Sequence, residues 1–209
     1  MPDFAFEDKA RDQGYHRISG IDEAGRGPWA GPVIAGAVII ERAKLSDELL
    51  TGLDDSKKIS GKKRERLYPL IMDQMRTAVG LSTVEEIDEL NILQATMLAM
   101  KRAFENLGNP KPDFALIDGN RMPELDCDGL AVVKGDGLSL SIAAASIIAK
   151  VTRDQIMTEL DKTHPGYGWA NNAGYGTRQH SEAIHRLGIS NHHRKSFAPI
   201  RKILRPDLT

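Results

Sequence analysis

The tightest constraint on the fold is a set of short apolar segments that each run into an acidic residue. Residues 17–22 close on Asp22 and Glu23, 114–117 run into Asp118-Gly119-Asn120, and 131–133 run into Lys134-Gly135-Asp136-Gly137. Such segments, with a further pair at 33–40 and 77–84, read as strands, those at 114–117 and 131–133 as short buried ones. The first two are joined by a Gly/Pro-rich stretch, 25–32, most simply as a hairpin. Helical spacing separates the rest. Leu67, Leu70, Ile71 and Met75 share one face of 62–75. Ile92, Leu93, Thr96, Met97, Met100 and Phe104 do so over 92–107, before Gly108 and Asn109-Pro110 end the helix. From Leu138 to about Leu160 a long helix offers Ala143, Ala144, Ala145, Ser146 and Ala149 as a small-residue face for close packing on a sheet. An aromatic, glycine-rich loop follows at 166–176, and a last helical stretch starts near Thr177. Strands alternating with helices predict an α/β fold with a mixed sheet flanked by helices. At 209 residues, one domain spanning 1–209 is expected.

Charge divides the chain unevenly. Up to Ala149 there are 18 basic against 24 acidic residues; from Lys150 onward there are 10 against 5, with five of the six histidines. A basic C-terminal portion beside an acidic remainder suits a polyanion surface next to a metal-binding one. The single cysteine, Cys127, excludes an intrachain disulfide and a thiolate zinc site, and is compatible with a reducing compartment. No apolar stretch of signal-peptide or membrane-spanning length occurs, so a cytoplasmic monomer with no membrane partner is expected.

In α/β domains, ligands and metals gather at strand ends. Asp22, Glu23, Asp118 and Asp136 are the acids at such ends, and together they form a cage for hard cations. Neighbouring residues of a strand face opposite ways, so Asp22 and Glu23 share one ion only if the strand stops there. Gly25 and Gly27 permit that, and allow main-chain amides to approach a ligand. Asp154 is set aside: a helix from Asp136 to Asp154 would part them by roughly 27 Å, which leaves Asp154 for an ion pair. Oxygen ligands select Mg²⁺ or Mn²⁺, and two such ions suit phosphodiester hydrolysis. A P-loop is excluded because no Gly-Lys-Ser/Thr follows the glycines, and zinc on His192-His193 because adjacent residues rarely face one metal.

Gly20-Ile21-Asp22-Glu23-Ala24-Gly25-Arg26-Gly27 with Gly31-Pro32 resembles the signature of bacterial ribonuclease HII, the type 2 ribonucleases H. Further segments match in order: Leu53-Asp54-Asp55-Ser56-Lys57-Lys58, Ile117-Asp118-Gly119-Asn120, Lys134-Gly135-Asp136, Gly174-Tyr175-Gly176-Thr177 and His193-Arg194-Lys195-Ser196-Phe197. The resemblance implies an RNase H-like fold with a helical basic C-terminal part, about 160–209, completing the substrate-binding surface. It implies endonucleolytic cleavage of RNA in RNA–DNA hybrids and at single ribonucleotides in duplex DNA, leaving 3′-hydroxyl and 5′-phosphate ends. It places the metal-binding carboxylates on Asp22, Glu23, Asp118 and Asp136, with Mn²⁺ or Mg²⁺ as cofactor. Gly25, Arg26 and Gly27 then grip the 2′-hydroxyl, the local mark of RNA. Tyr175 stacks on the sugar at the RNA-to-DNA junction, while Ser56, Lys57, Lys58, Arg194 and Lys195 hold backbone phosphates. One departure stands out. Where the family often has a basic residue before this tyrosine motif, the chain has Asn172-Ala173, so a phosphate contact is absent or supplied elsewhere.

Overall fold

In the computed structural model, which describes residues 1–205, five strands form one sheet of order β3-β2-β1-β4-β5. They are β1 (Ile18–Ala24), β2 (Val33–Ile39), β3 (Arg76–Ser82), β4 (Phe114–Asp118) and β5 (Asp128–Val132). The expected hairpin is present: β1 and β2 pair antiparallel from Ser19↔Ile39 to Ala24↔Ile34, and β3 extends this meander. On the other side β4 lies parallel to β1, and β5 parallel to β4. The helices are α1 (Ala5–Asp12), α2 (Asp47–Gly52), α3 (Gly61–Gln74), α4 (Val84–Leu90), α5 (Ile92–Asn106), α6 (Leu140–Thr163), α7 (Trp169–Asn172), α8 (Arg178–Leu187) and α9 (Ala198–Leu204).

Both faces of the sheet are covered, which is why β2 is buried along its whole length. Helix α6 packs on one face with α2 and α3, through Ala144, Ile147 and Ile148 against Val38, Leu67 and Ile71. Helix α5 covers the other through Ala95, Ala99, Met100 and Ala103. The alanine face of α6 is matched by glycines in the sheet. A Cβ on Gly20 would lie 2.2 Å from the Ser141 carbonyl carbon, and one on Gly36 would lie 2.5 Å from the Ala145 oxygen. The helix therefore rests almost on the strand backbone. Its N-terminus is held by the buried Glu7 of α1, whose Oε1 accepts from the Ser141 amide at 3.0 Å and from the Ser139 and Ser141 hydroxyls at 2.6 Å. A carboxylate there complements the helix dipole.

Two expectations are corrected. The segment around Ala131 is not a buried strand: β5 is the sheet edge, flanked by β4 alone, with Leu130 40% and Val133 62% exposed. Nor does β1 stop at Asp22 and Glu23. It continues to Ala24 by pairing with β2, although its pairing with β4 ends at Ile21↔Ile117. A third cluster, with Ala30, Met157, Trp169, Ile184 and Ile200, ties the end of α6 and the C-terminal helices to the loop between β1 and β2.

Candidate active site

Where β1 outruns β4, the side chains of Asp22 and Glu23 meet Asp118, the last residue of β4. Carboxylate oxygens of all three lie within 4.8 Å of one another. Asp22 Oδ1 accepts from the amide of Glu23 at 2.6 Å, and Asp118 Oδ1 accepts from the amide of Gly135 at 2.7 Å. The second bond docks the turn after β5 onto β4. It brings Asp136 beside the trio, with its own amide 3.4 Å from Asp118 Oδ1.

The cluster carries more negative charge than its two neighbouring cations, Lys57 and Arg26, offset. Burial, then the charges of Glu23 and Asp118, push the pKa of Asp22 well above the usual carboxylate range. Asp136 is raised to about 6 by burial and by the charges of Asp118 and Asp55, with Lys57 opposing. Lys57 Nζ stands 3.8 Å from Asp136 Oδ2. Burial works against the charge of this ammonium, yet the carboxylates of Asp22 and Asp136 hold its pKa above the ordinary value. Three acids meeting at one point with a fourth beside them, and only the exposed side chains of Lys57 and Arg26 against them, fit a hard divalent cation.

A cleft of about 360 Å³ opens from Glu23 and is lined by Gly25, Arg26, Gly27, Ser56, Lys57 and Tyr175, together with Lys150 and Arg153. Gly25 has φ +99°, and a Cβ there would lie 2.0 Å from Arg153 Nε. Tyr175 is half exposed, its ring edge 3.4 Å from where a Gly27 Cβ would be. Arg26 pairs with Glu23 at 3.1 Å, linking the loop to the carboxylates. Lys58 lies at the edge of the site, 3.8 Å from Asp54, and Lys195 is exposed and does not line the cleft. Asn172 is not a vacant phosphate contact but a loop pin. Its side chain donates to the Tyr167 carbonyl and accepts from the Gly174 amide.

Arg194 is a correction. It is fully buried and holds no phosphate: its guanidinium donates to the carbonyls of Gly25, Arg26, Pro28, Gly31 and Pro32, at 2.6 to 3.2 Å. Arg153, unremarked in the sequence, does the same from α6, donating to Ala30, Pro32 and Ala173. Burial lowers both pKa values, to about 9 and about 10, yet both arginines remain charged at pH 7. The two forks shape the glycine loop from beneath. A signal for Arg153 does exist in the sequence, since it stands four residues after buried Ala149 and four before buried Met157 on one stripe of α6. Arg194 carries no such signal.

With the strand order described, the acidic cluster places the chain among the metal-dependent nucleases of RNase H-like fold. Solved structures share this architecture. The ribonuclease H2 of Pyrococcus horikoshii superposes with a TM-score of 0.75 at 27% identity, over 91% of this chain and 98% of that one. A structure of Bst-RNase HIII in complex with Mn²⁺ shares the fold at a TM-score of 0.72 and 20% identity, over 95% of this chain and 72% of that one. The chain belongs to the ribonuclease HII family, whose model matches residues 19–200. The ribonuclease HII of Rhodospirillum rubrum is 54% identical over 98% of this chain and 92% of its own. That of Ruegeria pomeroyi is 51% identical over 98% and 86%. The chain is accordingly a metal-dependent endonuclease acting on RNA–DNA hybrids. Among the described residues no helix is long and apolar enough to cross a membrane.

Proposed function

We propose that this chain cuts the RNA strand of hybrids and also incises duplex DNA at a single embedded ribonucleotide, leaving 3′-hydroxyl and 5′-phosphate ends. The observation that carries this reading is that the carboxylate cluster opens directly, through Glu23, into the cleft formed by Gly25, Arg26, Gly27 and Tyr175. Asp22, Glu23, Asp118 and Asp136 would hold Mn²⁺ or Mg²⁺, which when bound would supply Lewis-acid stabilisation for phosphodiester hydrolysis. The backbone of Gly25 and Gly27, with Arg26, contacts the 2′-hydroxyl, which only RNA offers. Tyr175, whose ring edge lies beside Gly27, stacks on the next sugar. Ser56 and Lys57 face the same cleft and suit the phosphate, with Lys58 at the margin. Lys195, exposed in the C-terminal part, suits a more distant phosphate. That part, docked on the glycine loop by Arg194, completes the surface, and the chain works as a cytoplasmic monomer.

The test is a labelled DNA duplex containing one ribonucleotide, incubated with Mg²⁺ or Mn²⁺ beside an all-DNA duplex and a long hybrid. Incision at the ribonucleotide and in the hybrid, with the all-DNA duplex intact, is the expected result. Asp22→Asn should abolish cutting while duplex binding persists. Equal cutting of all three, or of none, would overturn the reading.

A further inference from the structure

Beneath the cleft lies a buried polar chain that the carboxylate chemistry does not use. His180 and His193 are both fully buried, with their Nε2 atoms 3.1 Å apart. Their tautomers follow from partners that can only donate. The Ser190 amide points at His193 Nδ1 at 3.0 Å, so that nitrogen is an acceptor and the ring proton sits on Nε2. The Trp169 indole N–H points at His180 Nε2 at 3.0 Å, so this atom accepts from both Trp169 and His193. The proton of His180 is then on Nδ1, 2.9 Å from the carbonyl oxygen of Tyr175. Every donor finds an acceptor, both rings are neutral, and the chain runs in one direction, from Ser190 to Tyr175. Burial, which lowers both pKa values and takes His193 to about 4, agrees with this assignment.

The chain joins the two halves of the cleft. His193 bridges Ala30 in an isolated antiparallel pair, and the amide of Arg194 donates to the Trp29 carbonyl at 2.8 Å. His180, at the first turn of α8, holds the segment that carries Tyr175. Trp29 packs beside His180, with ring centroids 5.9 Å apart, its ring where a Cβ on Gly176 would sit. The glycine loop and the tyrosine loop are bonded directly, the amides of Trp29 and Ala30 donating to the Gly174 carbonyl at 2.8 and 3.3 Å, and the two imidazoles add a second tie that ends on Tyr175 itself.

We propose that His193 and His180 are positioning residues for ribonucleotide recognition: their fixed tautomers hold Tyr175 at one height above Gly27, so that stacking and contact with the 2′-hydroxyl occur together. The proposal rests on the reading of Tyr175 given above. An imidazolium has no acceptor, and an aliphatic residue has neither donor nor acceptor, so each breaks the chain. Glutamine at position 193 can restore the donor to His180, and asparagine at position 180 can restore the donor to Tyr175.

The experiment compares wild type, His193→Leu, His193→Gln, Tyr175→Ala and the double variant Tyr175→Ala/His193→Leu. It measures kcat/KM with Mg²⁺ on a duplex with one ribonucleotide and on a long hybrid. Loss of one charge-neutral hydrogen bond in the chain should lower the ratio of the two by about tenfold in His193→Leu. His193→Gln should recover most of it, and the double variant should fall no further than Tyr175→Ala, as expected of residues acting as one unit. If Tyr175→Ala itself leaves the ratio unchanged, the role given to Tyr175 fails, and the histidine proposal with it. If Tyr175→Ala lowers the ratio while His193→Leu does not, or the losses add, the histidine proposal alone fails. The wild-type imidazole tautomers are read independently from ¹⁵N shifts. His180 protonated on Nδ1 and His193 on Nε2 support the proposal, and any other pair of tautomers overturns it even where His193→Leu does not fold.

Discussion

Replacing Arg194 separates a phosphate contact from an internal fork. In Arg194→Met the stem is kept and five recorded donations to loop carbonyls are lost. At roughly 1.5–3 kcal/mol for each bond to a charged group, the gross loss is about 7–15 kcal/mol. Against it stands the cost of burying the charge. The fall of the Arg194 pKa to about 9 corresponds to ~5 kcal/mol that the variant no longer bears. The difference spans about 2–10 kcal/mol, and ~4 kcal/mol within it matches the roughly 3–5 kcal/mol lost when one partner of a buried charged pair is removed. For a chain of this size that is a fall in melting temperature of roughly 8–16 °C. Arg194→Lys keeps the charge, but one ammonium cannot serve five carbonyls from a single point, so about half the loss should remain. Calorimetry on the three proteins, with hybrid cleavage measured well below their transitions, gives the comparison. If both variants melt with the wild type and show instead a KM that rises steeply with salt, Arg194 is a phosphate ligand and the internal-fork assignment is wrong.

Gly20→Ala should cost ~3 kcal/mol or prevent folding, because the new methyl meets the Ser141 backbone rather than a movable side chain; a urea midpoint equal to wild type would refute the close approach. The raised pKa values of Asp22 and Asp136 mean that the folded state holds these protons more tightly than the unfolded chain does. Their contribution is fully present below about pH 4 and, for Asp136, lost as pH rises through about 6. Metal-free Asp136→Asn should therefore gain on wild type in urea stability between about pH 4 and 7, and a difference that stays constant with pH would contradict the charge cluster. At neutral pH, Mn²⁺ or Mg²⁺ should raise the melting temperature of wild type and do so far less in Asp22→Asn; equal shifts would mean that the ion binds elsewhere.

Periodicity and turn chemistry act locally, and what they control was readable along the chain. The strand that closes on Asp118, the long alanine-faced helix and the helix start at Thr177 stand where the sequence puts them. So do three of the four carboxylates as one cluster, with the fourth beside them. Asp154 pairs with Lys150 at 2.6 Å, as an acid in mid-helix should. Pairing across the sheet is not a local property. That β1 continues past Glu23 depends on β2 pairing with it where β4 no longer does, and that β5 is an edge depends on no strand among the described residues lying beyond it.

Charge shows the same division. The run of basic residues after Lys150 is a property of the chain, but whether each one meets water depends on what folds over it. Arg178 and Lys162 pair with acids on the surface. Arg194 and, in two of its three donations, Arg153 point inward to carbonyls more than a hundred residues away, and two of the five histidines grouped with them, His180 and His193, form a neutral buried chain. Composition fixes how many charges there are; only the packing of the β1–β2 loop against α6 and the C-terminal helices decides which face solvent, because the desolvation that sets their chemistry arises from residues distant in sequence.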